Sequence, residues 1–391
     1  MNSTPRTIDA APNEVRRFIV ENQPVRGYWV DLDSAWQSLR AHQHYPRAVQ
    51  DLLGEAVSAS VLLAATLKFE GTLTLQLEGK GDVRLLVAQC SNDFRVRAVA
   101  RMSDEASTDD EADEEDSDSE DDEDADSDDD GDFDEDGEDS GARSFASDGA
   151  ESASDDEALP VGVFDLGPNA PRLELFASFP TASRALSAAA FRKLVGENGR
   201  VIVTIEGGES AARSGVRYQG IVPLTGNSLA ECLEAYFASS EQLPTRVRLA
   251  ADDTRTVGLL IQKLPEPGGV EMEAGSVSDE AWQDAERGIA AVRPDNLVSA
   301  SFQTVLEESF GHRDMRVFKG SPVEFSCRCS PARVAGLLRS LGAEEVRDVL
   351  REQGAVEVTC EFCQRPYKFD AFAVEQLFAP GTAPEGPHSL H

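Results

Sequence analysis

Residues 104–157 hold 30 Asp or Glu side chains against a single basic one, Arg143. Dense like charge with little apolar surface cannot offset the entropy of ordering, so this segment is expected to be disordered. Any fold must be assembled from the sequence on either side, with the tract, bounded as 103–158, carried as a loop insertion. One window, 126–137, imitates a calcium loop through Asp126, Asp128, Asp130 and Gly131. Its twelfth position is Gly137, however, where a bidentate glutamate belongs, so the reading stays a solvated tract. Its self-repelling charge is expected to keep complexes of the protein soluble. The tract also carries most of the formal net charge of −36, leaving 42 acidic and 35 basic residues elsewhere. A folded part that is mildly acidic lacks the basic footprint needed to grip a phosphate backbone, which argues against specific nucleic-acid binding.

The flanks are rich enough to fold, since 40% of the 391 residues are hydrophobic; that supports two or three domains with at least one sizeable core. The N-terminus, MNSTPRTIDAAPNEVRRF, lacks the basic-then-apolar order of a secretory signal. The apolar run VLLAATL (61–67) is far shorter than the ~18–20 residues that cross a bilayer, so a cytoplasmic protein without a membrane segment is expected.

RFIVENQPVRGYWVDL reads as strand, and Val49, Leu52, Leu53 and Ala56 set the apolar face of a helix running from about Pro46 to Leu67. Residues 71–101 alternate apolar and polar side chains between turns at Gly79–Asp82 and Ser91–Asp93, the pattern of a three-stranded meander. Beyond the tract, strands are expected at 172–179, 200–207 and 217–224, a helix at 229–242, and a strand pair at 246–252 and 257–264. Pro265 to Gly269 then breaks the pattern, which closes an N-terminal α+β domain at 1–265. Residues 266–323 read as a helical linker, with helices near 281–292 and 299–310. Their apolar residues Trp282, Ile289, Val292, Phe302, Val305, Leu306 and Phe310 look exposed and must pack on something, most simply the N-terminal domain.

The third unit, 324–391, is marked by Cys327-Arg-Cys329 and Cys360-Glu-Phe-Cys363. Between them Ser330 can cap a helix that begins at Pro331, carries Val334, Leu337, Leu338 and Leu341 as its apolar stripe, and ends at Gly342. A second helix runs from about Glu344 to Gln353. Strand-like residues then flank the Cys-x-x-Cys turn on both sides, and Asp370 can cap a last helix over 371–378. Side chains two apart on an extended segment share a face, so all four thiolates can converge on one tetrahedral Zn²⁺. Two resting disulfides or unrelated buried thiols are the alternatives. A thioredoxin-like centre would need its motif to open a helix after a strand, and His312 would be a fifth ligand for a site that four sulfurs complete. Cys90 and Cys232, in apolar surroundings, read as small buried hydrophobes.

A disulfide across Cys-x-Cys closes a small, strained ring, and strained disulfides are readily reduced, which suits a reversible sensor. Structural zinc contributes on the order of 10–16 kcal/mol, whereas a core of this size supplies only about 3–5 kcal/mol. Loss of the metal should therefore unfold the module.

The stretches RGYWVDL, YPRAVQDLLGEAVSASVLLAATLKFEGTLTLQLEGKG, YQGIVPLTGNSLAECLEAYFASSEQLPTRVRLAAD and CRCS…EQGAVEVTCEFCQRPYKFD resemble the thirty-three-kilodalton heat-shock chaperone family of bacteria, over nearly all of the chain outside 103–158. The resemblance implies an α+β chaperone domain, a redox-labile linker and a small zinc-binding domain. It further implies an ATP-independent holdase, not an enzyme, inactive when reduced and zinc-bound. Oxidation by hypochlorite, or by peroxide with heat, would form Cys327–Cys329 and Cys360–Cys363, release Zn²⁺ and unfold the linker. Trp282, Ile289, Val292, Phe302, Leu306 and Phe310 would then become client-binding surface. Its partners would be unfolding client proteins, a second copy when oxidised, and ATP-dependent foldases downstream. A zinc-ribbon nucleic-acid binder and a thiol–disulfide oxidoreductase are the competing readings. The former suffers from the surrounding acidity despite Arg328, Arg333, Arg339, Arg365 and Lys368; the latter would need one low-pKa attacking cysteine and turnover.

Overall fold

One long helix packed between two sheets organises the protein. The structure, a computed structural model, describes residues 11–41, 43–103, 163–164, 186–207, 217–265, 277–311 and 313–379. The acidic tract, the calcium-loop window, the expected strand at 172–179 and His312 lie outside the described residues.

Before the tract come β1 (Glu14–Val20), β2 (Val25–Leu32), α1 (Ser34–Arg40), α2 (Arg47–Thr66), β3 (Gly71–Glu78), β4 (Val83–Ser91) and β5 (Arg95–Met102). After it come β6 (Val163–Phe164), α3 (Ala188–Val195), β7 (Arg200–Gly207), β8 (Arg217–Pro223), α4 (Leu229–Tyr236) with a π-helical turn to Glu241, β9 (Thr245–Ala251) and β10 (Thr256–Lys263). A linker layer of α5 (Val277–Ala291), α6 (Pro294–Ser299) and α7 (Phe302–Phe310) follows, then β11 (Met315–Val317), β12 (Ser321–Pro322) and β13 (Glu324–Phe325). The C-terminal module is α8 (Pro331–Leu341), α9 (Ala343–Gln353), the hairpin β14 (Val356–Thr359) and β15 (Pro366–Phe369), and α10 (Ala371–Leu377).

The first sheet runs β6-β11-β1-β2-β10-β9, with β12 also on β1; the second runs β13-β5-β4-β3-β7-β8. In both sheets the strands from before the acidic tract lie in the middle, flanked on either side by strands from after it, so the tract interrupts one folded unit. Helix α2 lies between the sheets with fifteen of its side chains buried, which is why it is apolar nearly all round. It is the one described helix long and apolar enough to cross a membrane, but most of it is enclosed by protein.

The first sheet is covered on both faces. Tyr28, Val30, Leu32 and Leu260 join the core around α2, while Trp29, Val257, Leu259 and Ile261 turn the other way and meet α5–α7, as the two-residue period of a strand requires. Trp282, Ile289, Val292, Phe302, Val305, Leu306 and Phe310 are all buried there, so their exposed look in sequence came from reading the helices without the sheet. Phe302 lies 5.4 Å from Trp29 and 6.1 Å from Phe18, centroid to centroid, and Phe310 lies 5.7 Å from Phe18.

The stretch read as a helical linker is less purely helical than its composition suggests. β11 and β12 at its end pair antiparallel with β1, and β13 then pairs parallel with β5. Strands of two or three residues have no periodicity to read; they exist because β1 and β5 offer free edges. α1, α3 and α6 were not foreseen either, although Asp33 and Ser187 cap the first two.

Glu55, on the buried face of α2, has its carboxyl pushed up to about 8 by burial first and by the Asp51 carboxylate second. A raised folded pKa means the folded state holds its proton while the unfolded state ionises. The associated stability is full below about pH 4.5 and is lost as pH rises toward 8. Glu55→Gln is therefore expected to raise the thermal midpoint at pH 8, by about 2 kcal/mol or more in stability, and to show no gain near pH 4.5. Melting curves at the two pH values check this.

Candidate metal centre

The two cysteine motifs reach one point from opposite ends of the C-terminal module. Ser330 caps α8 by accepting from the Arg333 amide, with Pro331 in the first turn, so the chain leaves Cys329 in a fixed direction. Gly354 ends α9 in a left-handed conformation, where glycine carries no Cβ penalty. The chain then enters the β14–β15 hairpin, whose turn carries Cys360 and Cys363. The Gln364 amide donates to the Cys360 carbonyl (2.7 Å) and the Cys360 amide to that of Arg365 (3.0 Å), which closes the turn.

All four sulfurs lie within 4.8 Å of one another. Two contacts run between motifs, Cys327 to Cys360 at 3.6 Å and Cys329 to Cys363 at 3.4 Å. Four sulfurs at the corners of a tetrahedron around a Zn²⁺ with ~2.3 Å bonds stand about 3.8 Å apart. The donor set and its spacing therefore fit a thiophilic divalent cation, and the cluster can bind a metal ion. No other group of three or more His, Cys, Asp or Glu ligand atoms gathers this way among the described residues; His44 is exposed and takes no part.

The thiols are unequal. Burial raises Cys329, but the Tyr367 hydroxyl and the three neighbouring sulfurs outweigh it and bring Cys329 down to about 7. Burial, together with the other sulfurs, pushes Cys363 up to about 12 against the Arg365 backbone amide, and burial is also the main cause raising Cys327. Cys90 and Cys232 are buried and free; burial raises both thiols and keeps them protonated.

The module's own core is small: Leu338, Val346, Val356, Val374 and Leu377 are its buried members. Leu337 and Leu341, placed on the α8 stripe by sequence, are 53% and 57% exposed, because α8 meets only a narrow face of its neighbours.

The Cys360–Cys363 turn also rests on the N-terminal sheet, which sequence reasoning missed. The Phe362 ring lies 4.3 Å from the guanidinium carbon of Arg97 on β5, and Glu361 pairs with Arg101 at 2.6 Å. The Gln43 side-chain amide donates to both the Phe362 and the Ala98 carbonyls, at 3.0 Å each. Arg328, between Cys327 and Cys329, donates to Thr72 of β3 at 2.7 Å. The available signal was an aromatic and an acidic residue in Cys-Glu-Phe-Cys; nothing in sequence marks Gln43.

Comparison with known proteins gives a consistent result. The Hsp33 protein family model matches residues 13–370. The 33 kDa chaperonin of Methylobacillus flagellatus is 31% identical over 367 residues, 94% of each chain. That of Pseudomonas paraeruginosa is 33% identical over 376 residues, 96% of this chain and 97% of its own. The crystal structure of the 33 kDa chaperonin from Thermotoga maritima shares the fold, with a TM-score of 0.61 over 93% of this chain and 97% of that one, at 20% identity. With its four-cysteine cluster in place and the match running nearly end to end, this chain belongs to the Hsp33 family, whose members are chaperones rather than enzymes.

Proposed function

We propose that the protein is a redox-regulated, ATP-independent holdase, held inactive while Cys327, Cys329, Cys360 and Cys363 are reduced and bind one Zn²⁺. The observation that carries this is the convergence of four thiols in a module with five buried core residues, joined directly to a linker that covers an apolar sheet face. The bound ion would supply cross-linking between the two motifs and hold the sulfurs as thiolates, the form that oxidants attack.

Oxidation of the four thiolates to two disulfides takes away the electron pairs that hold the cation. The module then has too small a core to stay folded. Sulfurs of different motifs approach to 3.4 and 3.6 Å, so pairing as Cys327–Cys329 and Cys360–Cys363 rests on the family resemblance rather than on proximity. The functional units are the N-terminal domain 1–265, the linker 266–323 and the switch module 324–391. Once the linker leaves the sheet, Trp282, Ile289, Val292, Phe302, Leu306 and Phe310 become available to unfolding proteins, as do Phe18, Trp29, Val257, Leu259 and Ile261 beneath them. Pairing with a second copy in the oxidised form, hand-over of clients to ATP-dependent foldases, and a cytoplasmic location complete the reading.

The test is a titration with hypochlorite on reduced, metal-loaded protein. Free thiols, released zinc and suppression of citrate synthase aggregation are followed together. Four thiols and one zinc are expected to be lost in step with the gain of anti-aggregation activity. Activity that rises while the metal stays bound would falsify the coupling.

A further inference from the structure

We propose that Arg97 and Gln43 form a charge-sensing latch, which holds the Cys360–Cys363 turn against the second sheet while its sulfurs are thiolates and releases it when they become disulfides. The proposal rests on the reading of the four cysteines as a metal-holding thiolate site.

Both residues between Cys360 and Cys363 serve as grips on β5. Phe362 lies under the Arg97 guanidinium and Glu361 pairs with Arg101; positions 97 and 101 share a face of the strand. Gln43 is 5% exposed, and its amide ties the backbone of the turn to the backbone of β5. A buried amide bridging two carbonyls leaves both unsatisfied if it is lost. The Arg101–Glu361 pair, more than half exposed on both sides, contributes little, so the hold depends on Arg97 and Gln43.

Arg97 is set in place by donating from Nε to Gln89 at 2.7 Å. Among the described residues no carboxylate stands within ion-pair distance of Arg97, Arg328 or Arg333; Arg328 reaches Thr72 and Arg333 donates to the Arg328 carbonyl at 2.8 Å. Burial and the charges of Arg328 and Arg333 act against the protonated Arg97, and the sulfurs of Cys327 and Cys360 are what favour it. The Asp93 carboxylate acts on Arg328, so it is for Arg97 that the sulfurs serve as the counter-charge.

Four thiolates carry −4, and with a divalent cation the site carries −2. A peroxide oxidant converts each pair by 2 RS⁻ + H₂O₂ → RSSR + 2 OH⁻. Two such steps and departure of the cation take the site from −2 to 0. Arg97 then keeps the like charges of Arg328 and Arg333 beside it without the thiolates that offset them, and attraction across the contact weakens. The latch therefore reads the charge of the sulfurs directly, in addition to any loss of shape in the turn.

The experiment uses the full chain, reduced and metal-loaded. Amide hydrogen exchange is followed in 356–369 at low and high salt for wild type, Arg97→Leu, Arg97→Lys and Gln43→Leu. Zinc content is measured first, and all four proteins are expected to hold one ion. Arg97→Leu keeps apolar bulk over Phe362 but removes the charge, and exchange in the turn is expected to rise on the order of tenfold, the effect of losing one charge-assisted contact. Gln43→Leu should show a similar rise, and Arg97→Lys should restore part of the protection. Salt should loosen the turn in wild type and in Arg97→Lys but leave Arg97→Leu unchanged. Both loosened variants should release zinc at a lower ratio of peroxide to protein. Wild-type exchange in Arg97→Leu, or a salt response that persists in it, overturns the latch. A wild-type protein that keeps its zinc with all four thiols oxidised overturns the parent reading instead, a result that exchange in the reduced state does not produce.

Discussion

Cys363→Ser is expected to abolish tight metal binding and to leave residues 324–379 without a stable fold. Under the proposed function each thiolate is one of only four ligands, and the affinity they would confer, on the order of 10–16 kcal/mol for structural zinc, would be folding free energy for a module with a small core. Leu338, Val346, Val356, Val374 and Leu377 are its buried core. A core of that size supplies only about 3–5 kcal/mol by itself. Metal analysis should find no bound zinc, and amide exchange across α8 to α10 should approach that of an unfolded chain. The same variant should suppress aggregation without any oxidant, because the trigger has been removed in advance. Cys90→Ser is the control: it disturbs a buried strand residue but leaves zinc in place. A Cys363→Ser protein with a full complement of zinc would show that the cluster is not the metal site.

The second large effect is expected from a single methyl group. At Gly288 the helix α5 comes so close to α7 that an added Cβ would stand 1.8 Å from the Ser309 carbonyl oxygen. Glycine to alanine inside a helix ordinarily stabilises by roughly 0.5–1 kcal/mol. Here the obstacle is backbone, which has no rotamer to yield, so the helices must separate; overpacking of this kind costs about 1–3 kcal/mol or more. Gly288→Ala should lower the thermal midpoint of the linker, increase binding of a hydrophobic dye and give oxidant-free holdase activity, with four free thiols and zinc retained. An inactive variant with an unchanged or higher midpoint would show that the α5–α7 contact does not hold the linker down.

Much of the C-terminal module was legible because its signals are local. Ser330-Pro331, Gly342, Gly354 and Asp370 mark helix ends within a few residues of the backbone groups they satisfy, and the cysteine spacing is itself the chelating geometry. The long helix α2 and the meander β3–β5 were legible from periodicity. The remainder depended on partners distant in sequence. β11, β12 and β13 are too short to carry a pattern and form on the edges of strands roughly 200–300 residues away. The burial of Trp282 through Phe310 required knowing that β2 and β10 turn apolar side chains to both faces. Gln43 and Arg97 meet Phe362 across more than 260 positions, and neither belongs to any motif, so the support of the metal-ligand turn was beyond the reach of sequence spacing.

The stitching of β11 and β12 onto β1 has a consequence for what the released protein offers. If 315–322 peel away with the helices under the proposed switch, the outer rim of β1 would lose its hydrogen-bonded neighbours, and a row of unsatisfied amides and carbonyls would appear beside the uncovered aromatic patch. Such a rim pairs with any extended polypeptide through main-chain atoms that every sequence possesses, which would let one surface accept many unrelated guests without reading their side chains.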